Sequence, residues 1–159
     1  MMTLYHGSNV DIEEINLNFG RAGKDFGKGF YLSPDKAQAE VMAGIAVVRA
    51  KRGERTLNTY LFDDKALYDG SLKFLYFDTY SPEWAKFIVT NRLNKKAQNV
   101  HDYDVVYGPI ADDKVGLQIR LYNEDYISVD VLMKRLQYIK PTFQYFFATE
   151  RAVKLLHKI

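Results

Sequence analysis

The sequence predicts one α+β domain, on three observations. Its 159 residues are enough to bury a core without disulfides or metals. Strand-like and helix-like runs follow one another irregularly, several strands in succession, so the steady alternation of a doubly wound sheet is absent. The segments are short and bounded by Gly, Pro, Ser or Asp, with no internal repeat and no low-complexity linker. A single domain over residues 1–159 is therefore expected.

Each element has a local cause. Thr3 to Ser8 reads as a strand that meets a glycine at Gly7, and Val10 to Asn18 as irregular chain. Gly20 to Gly29 holds four glycines among Arg21, Lys24, Asp25 and Lys28, the composition of a mobile polar loop. Gly29 to Leu32 is a second strand. Ser33-Pro34-Asp35 is a helix start in which Ser caps and Pro takes the first turn. Ala37, Val41, Ile45 and Val48 then recur at helical spacing, and Gly53 ends the run.

Leu57 to Phe62 and Leu72 to Phe77 read as strands, with a short helix over Asp63 to Tyr68 between them. Ser81-Pro82-Glu83 repeats the helix-start device ahead of Trp84, Phe87, Ile88 and Leu93. Tyr103 to Tyr107 is a strand stopped by Gly108-Pro109, and Asp113 to Tyr122 is helical. Ser128 caps a helix carrying Val131, Leu132, Leu136 and Ile139, closed by Pro141. Phe143 to Phe147 is a strand, and Thr149 caps a last helix through Ala152, Val153, Leu155 and Leu156.

Composition excludes several classes of function. There is no cysteine, hence no disulfide framework, no cysteine-based zinc site and no thiol nucleophile. That fits a cytoplasmic protein, with export as an effector left open. His6, Asp11 and Glu13 interrupt any secretory signal pattern, and no apolar run reaches membrane-spanning length. A net charge of +2 is mild for a nucleic-acid binder. The densest basic cluster, Arg49, Lys51, Arg52 and Arg55, reads as a solvated helix end or a phosphate-contacting patch. No HExxH, GxSxG, P-loop or GxGxxG pattern occurs, and no metal site is expected.

Of three histidines, His157 falls at the end of the last helix and His101 in a polar loop. His6 differs: it lies in an apolar strand and precedes Gly7-Ser8, so its imidazole can meet a ligand hydroxyl while Gly7 admits close approach to the backbone. Gln144 is a lone polar residue in an aromatic strand; alternation puts it on one face with Phe146. A buried amide there needs a partner, which a ligand or the backbone could supply.

Two strings in order are more specific than either alone. Leu4-Tyr5-His6-Gly7-Ser8, followed by Asp25-Phe26-Gly27-Lys28-Gly29-Phe30-Tyr31-Leu32, resembles the first two motifs of the ADP-ribosyltransferase superfamily, in its poly-ADP-ribose-polymerase-like and diphtheria-toxin-like branch with a His-Tyr-Glu signature. The whole chain is similar to the bacterial domain family DUF3990, also through Tyr103 to Val115, Gln144 and Thr149 to Leu156.

The resemblance implies an ADP-ribosyltransferase-like fold of split antiparallel sheets flanked by helices. It implies NAD⁺ as substrate, cleavage of the nicotinamide–ribose bond, and transfer of ADP-ribose to an acceptor, protein or other macromolecule. By position, His6 holds the ribose on the nicotinamide side, Gly7 grips the carboxamide through its backbone, and Ser8 supports the ribose or phosphates. Tyr31 stacks on the nicotinamide. Met42 stands where relatives are expected to carry an aromatic, and either covers the ring or fills the core.

Gln144 takes the third motif's place, where Glu is commoner; an amide can orient a ribose but cannot take a proton. Glu150, six residues on, is not expected to substitute. Arg21, Lys24 and Lys28 are candidates for the pyrophosphate by charge and position. The alternatives are a non-catalytic NAD⁺ or ADP-ribose binding module and an RNA 2′-phosphotransferase-like enzyme, against which the placement of His101 and His157 and the low charge argue. A toxin-like role, with an antitoxin or inhibitor as partner, is suggested by family resemblance alone.

Overall fold

A computed structural model describes residues 1–159. Seven strands form two sheets. The smaller has the order β1 (Met2–Ser8), β3 (Thr56–Phe62), β7 (Leu156–Lys158) and is antiparallel throughout. The larger runs β2 (Phe30–Leu32), β6 (Phe143–Phe147), β5 (Val105–Pro109), β4 (Phe74–Tyr76). Its β4–β5 pair is parallel, so this sheet is mixed rather than antiparallel. The reason is topological: the connection from β4 to β5 passes through helix α2 (Pro82–Leu93), the crossover that a parallel pair requires.

Alternation along β5 and β6 divides the interior into two cores. Val105 and Phe147 face a cluster between the sheets that includes Leu4, Phe62 and Leu156. Val106 and Phe146 face the other way, into a cluster closed by Trp84 and Ile88 of α2, Val115 and Ile119 of α3 (Asp113–Asn123), and Leu132 and Leu136 of α4 (Val129–Leu136). The Trp84 indole N–H donates to the Pro109 carbonyl at 3.0 Å, which satisfies the one polar atom on that buried ring. No helix is long and apolar enough to cross a membrane.

Four expectations change. Helix α1 (Lys36–Ala50) is capped by Asp35, whose carboxylate accepts from Ala37 and Gln38 N–H; Ser33 lies upstream in an isolated bridge to β1, its hydroxyl accepting from Asp35 N–H. Its apolar stripe points outward: only Ala39 and Ala43 are buried, while Val41 and Val48 are exposed. Helix α5 (Glu150–Val153) is one turn long, and Leu156 and His157 continue as strand β7 against β3. The α4 helix stops at Leu136, short of Ile139, and β5 starts at Val105 and runs on through Gly108 and Pro109, which pair with Gln144 and Phe143 instead of stopping the strand. The second helix start behaves as read, with Ser81 Oγ accepting from Trp84 N–H at 3.0 Å.

Candidate functional site

The two sheets meet at one point and then part. Tyr5 N–H donates to Ser33 O at 2.9 Å and Ser33 N–H to Tyr5 O at 2.7 Å. Along a strand, a residue's N–H and C=O point to the same edge, and alternate residues take opposite edges. Gly7 therefore turns its main-chain donor and acceptor the same way as Tyr5, toward β2. The next antiparallel pair would be Gly7 with Tyr31, yet the bridge at Tyr5 and Ser33 is isolated. In place of that pair, His6 takes the Tyr31 carbonyl with Nδ1 at 2.7 Å.

That bond fixes the chemistry of His6. A carbonyl only accepts, so Nδ1 carries the proton. Burial pushes the imidazole below its ordinary pKa, against the smaller raising effect of the Tyr31 carbonyl. In the neutral ring Nε2 is an acceptor. The ring is held against Phe30, centroids 4.4 Å apart.

Gly7 is required for a reason the sequence did not disclose. A Cβ there would lie 1.9 Å from Ala39 O and 2.5 Å from Ala43 N. Its side-chain face is filled by the backbone of α1, so the glycine lets the helix lie on the strand; its main-chain groups, on the edge, are what a ligand can reach.

A cavity of about 150 Å³ sits where the strands part. His6, Gly7, Tyr31, Met42 and Gln144 line it together with Gln38 and Ile110. Gln144 Nε2 is buried and has no hydrogen-bond partner in the protein. A buried amide nitrogen without a partner costs roughly 1–3 kcal/mol.

A larger cleft of about 760 Å³ opens beside it, and His6 and Tyr31 line both. That volume is of drug-sized ligand class. Ser8, Arg21, Lys24 and Arg49 line the cleft, and so do Asp11, Glu13 and Glu14. Burial lowers the Lys24 pKa, and the Arg49 and Arg21 cations lower it further. The three bases therefore crowd one another, and an anion among them relieves that repulsion. Lys28 lines neither space. Glu150, at the start of α5, lines neither as well.

The glycine-rich segment is anchored over its second half, where the sequence suggested a mobile loop. Phe26 is fully buried. The Tyr31 hydroxyl donates to Gly27 O at 2.7 Å and accepts from Phe26 N–H at 3.1 Å. Asn99 clamps Lys28 from both sides, Oδ1 accepting from its N–H at 2.7 Å and Nδ2 donating to its carbonyl at 2.9 Å. His101 Nε2–H donates to Phe26 O at 2.7 Å, while its Nδ1 accepts from Tyr103 N–H. The segment is a loop, as the sequence predicts, and the buried Phe26 side chain is what fixes the backbone of its second half.

Tyr31 thus has its hydroxyl in the loop and its ring against Phe146, 4.8 Å between centroids. Burial pushes the phenol well above its ordinary range, so it stays protonated and keeps donating. Asn99 has no signal in the sequence, His101 reads there only as a loop residue, and Arg49 only as one of a basic cluster. A signal for Arg49 existed: it is seven residues, two helical turns, after Met42, and so shares its face.

Fold and site together define an α+β domain with a ligand-sized cleft where two sheets part. The family model described as "Protein of unknown function (DUF3990)" matches residues 2–158, and the chain belongs to that family. No curated protein and no solved structure matches it.

Proposed function

We propose that the cleft binds NAD⁺ and that the domain is a mono-ADP-ribosyltransferase. One observation carries the reading: Gln144, whose amide nitrogen is buried without a partner, lines the same small cavity as His6, Gly7 and Tyr31. The motif resemblance supports it independently.

In this reading the nicotinamide enters the small cavity. Gly7 N–H donates to the carboxamide oxygen and Gly7 C=O accepts from its amide, a pairing that replaces the missing strand partner. The Tyr31 ring covers one face of the cationic pyridinium and Met42 lies over the cavity's helix side. His6 Nε2 accepts from a ribose hydroxyl, and Gln144 Nε2 donates to a ribose oxygen. Ser8 stands beside the ribose and phosphates. Arg21 and Lys24 meet the pyrophosphate in the larger cleft; Lys28, lining neither space, has no part.

The bond between C1′ and the pyridinium nitrogen breaks with its electron pair passing to nitrogen, which leaves neutral nicotinamide. The ribose, oxocarbenium-like, is captured by a nucleophile on the acceptor, which then loses its proton. These residues position the ribose and leaving group.

Gln144 also motivates a second reading, a module that binds NAD⁺ or ADP-ribose without turnover, because an amide cannot take the acceptor's proton. Incubation with nicotinamide-labelled NAD⁺ and cell lysate separates the two. Release of label matched by ADP-ribose attached to a lysate macromolecule, both abolished in His6→Ala, supports the transferase. Binding measured by calorimetry with no release leaves the module, and absence of binding removes both.

A further inference from the structure

Helix α1 is built inside out. Its inner face consists of Ala39 and Ala43, small enough to rest on Gly7, and its bulky apolar residues face solvent: Val41 64 %, Ile45 42 % and Val48 76 % exposed. These three are spaced four and three residues apart, one stripe along the helix. They line a surface groove of about 530 Å³ with Gly44, Arg49 and Arg55, and the Arg55 guanidinium lies 3.2 Å from where a Gly44 Cβ would be. Glycine at 44 keeps the groove open beneath that guanidinium.

The end of the groove is basic. Arg49, Lys51, Arg52 and Arg55 are all exposed, Glu54 is the one acid among them, and none of the four cations is in an ion pair. In a two-fold contact a second copy would set the same cations against each other with the α1 helices parallel, and with them antiparallel would meet the cations with Asp35 and Glu40 but also the exposed Lys36. An anionic membrane fits less well, because the charge is gathered at one end of the stripe and Glu40 and Asp35 lie toward the other.

We propose that this groove seats a segment of another protein, an amphipathic helix with apolar residues at helical spacing and acidic residues where it meets Arg55, beside Gly44, and Arg49, past Val48. Arg49 lines both the groove and the large cleft. The occupant's carboxylate and an anionic cleft ligand therefore compete for one guanidinium, a coupling that rests on the NAD⁺ reading above and is reciprocal.

The test is selection from a displayed random-peptide library, followed by anisotropy with the enriched peptides. Enriched sequences should combine acidic residues with apolar ones at helical spacing. Their affinity should fall at least tenfold for Ile45→Asp and for Arg55→Glu, both surface changes whose folding circular dichroism can check. NAD⁺ should weaken the peptide severalfold in the wild type and leave the affinity of Arg49→Ala unchanged. Loss of the NAD⁺ effect alone, in a protein that calorimetry shows to bind no NAD⁺, removes the cleft reading and leaves the groove. Peptides without acids, equal affinity for both variants, no enrichment, or binding confined to phosphatidylserine vesicles each overturn the proposal.

Discussion

At Tyr5 the edge of β1 is closed by two main-chain bonds to Ser33; at Gly7, two residues on, the same edge is open. The two places share a strand, a direction and a register. They differ in what fills the partner's position. Ser33 supplies a backbone, whereas Tyr31 has its carbonyl taken by His6. The closed end joins the sheets. The open end keeps a backbone donor and acceptor beside a buried amide with no partner, and a fold that leaves such groups unpaired forgoes stability to hold a site.

The comparison breaks most severely if Gly7 is given a side chain. Gly7→Ala puts a carbon inside the contact distance of two α1 backbone atoms. We expect a loss of about 3 kcal/mol or more in urea unfolding, the upper range of overpacking. A near-neutral result would mean that α1 does not lie on β1 as described.

Tyr31→Phe keeps the ring at the cleft and removes the hydroxyl that bonds Gly27 O and Phe26 N–H. A cost of about 2 kcal/mol is expected, from two loop groups left unpaired. Amide hydrogen exchange should quicken at Phe26 and Gly27 while Tyr5 and Ser33 stay protected. Equal quickening at both ends would show that the loop and the open edge are not separate from the closed one.

Gln144→Leu sharpens the contrast by separating stability from binding. Removing a partnerless buried amide should stabilise the fold by about 1 kcal/mol and cost at least tenfold in NAD⁺ affinity. Destabilisation with unchanged affinity would assign the amide a structural role instead. Gln144→Glu should raise the transfer rate, since a carboxylate can accept the acceptor's proton.

The smallest effect is that of pH. Burial holds His6 and His101 below 6.5, the ordinary value their imidazoles regain in the unfolded chain. Between 6.5 and the lowered folded values the unfolded chain binds more protons, so stability falls as pH falls through that window and is flat above it. Asp104 titrates lower: its burial raises it, but Arg151, Lys73 N–H and Thr149 together hold it below 3.8. His101→Gln should flatten part of the slope in thermal melts between about pH 7.5 and about pH 5. An unchanged slope would place the titration elsewhere.

Much of this was legible in the sequence, for identifiable reasons. The strands of the larger sheet followed from aromatic or β-branched runs, although β5 pairs on through the Gly108-Pro109 that was expected to stop it, and Ser81, Ser128 and Thr149 cap as their positions suggest. His6, Gly7, Tyr31, Met42 and Gln144 do line one cavity. Helical spacing located a stripe on α1 but not which way it faces, because period carries no sign: what turned the helix was the need for Ala39 and Ala43 against Gly7. The same limit hid Asn99 and His101. Their partners are backbone atoms some seventy residues away, and no side-chain pattern announces them.

The account stands or falls on the open end of β1. A crystal structure of the protein with NAD⁺ tests it most directly. The prediction is a carboxamide paired with the Gly7 main chain and ribose oxygens within hydrogen-bond reach of His6 Nε2 and Gln144 Nε2. NAD⁺ bound elsewhere, or a small cavity that stays empty with the Gln144 amide still partnerless, would contradict it.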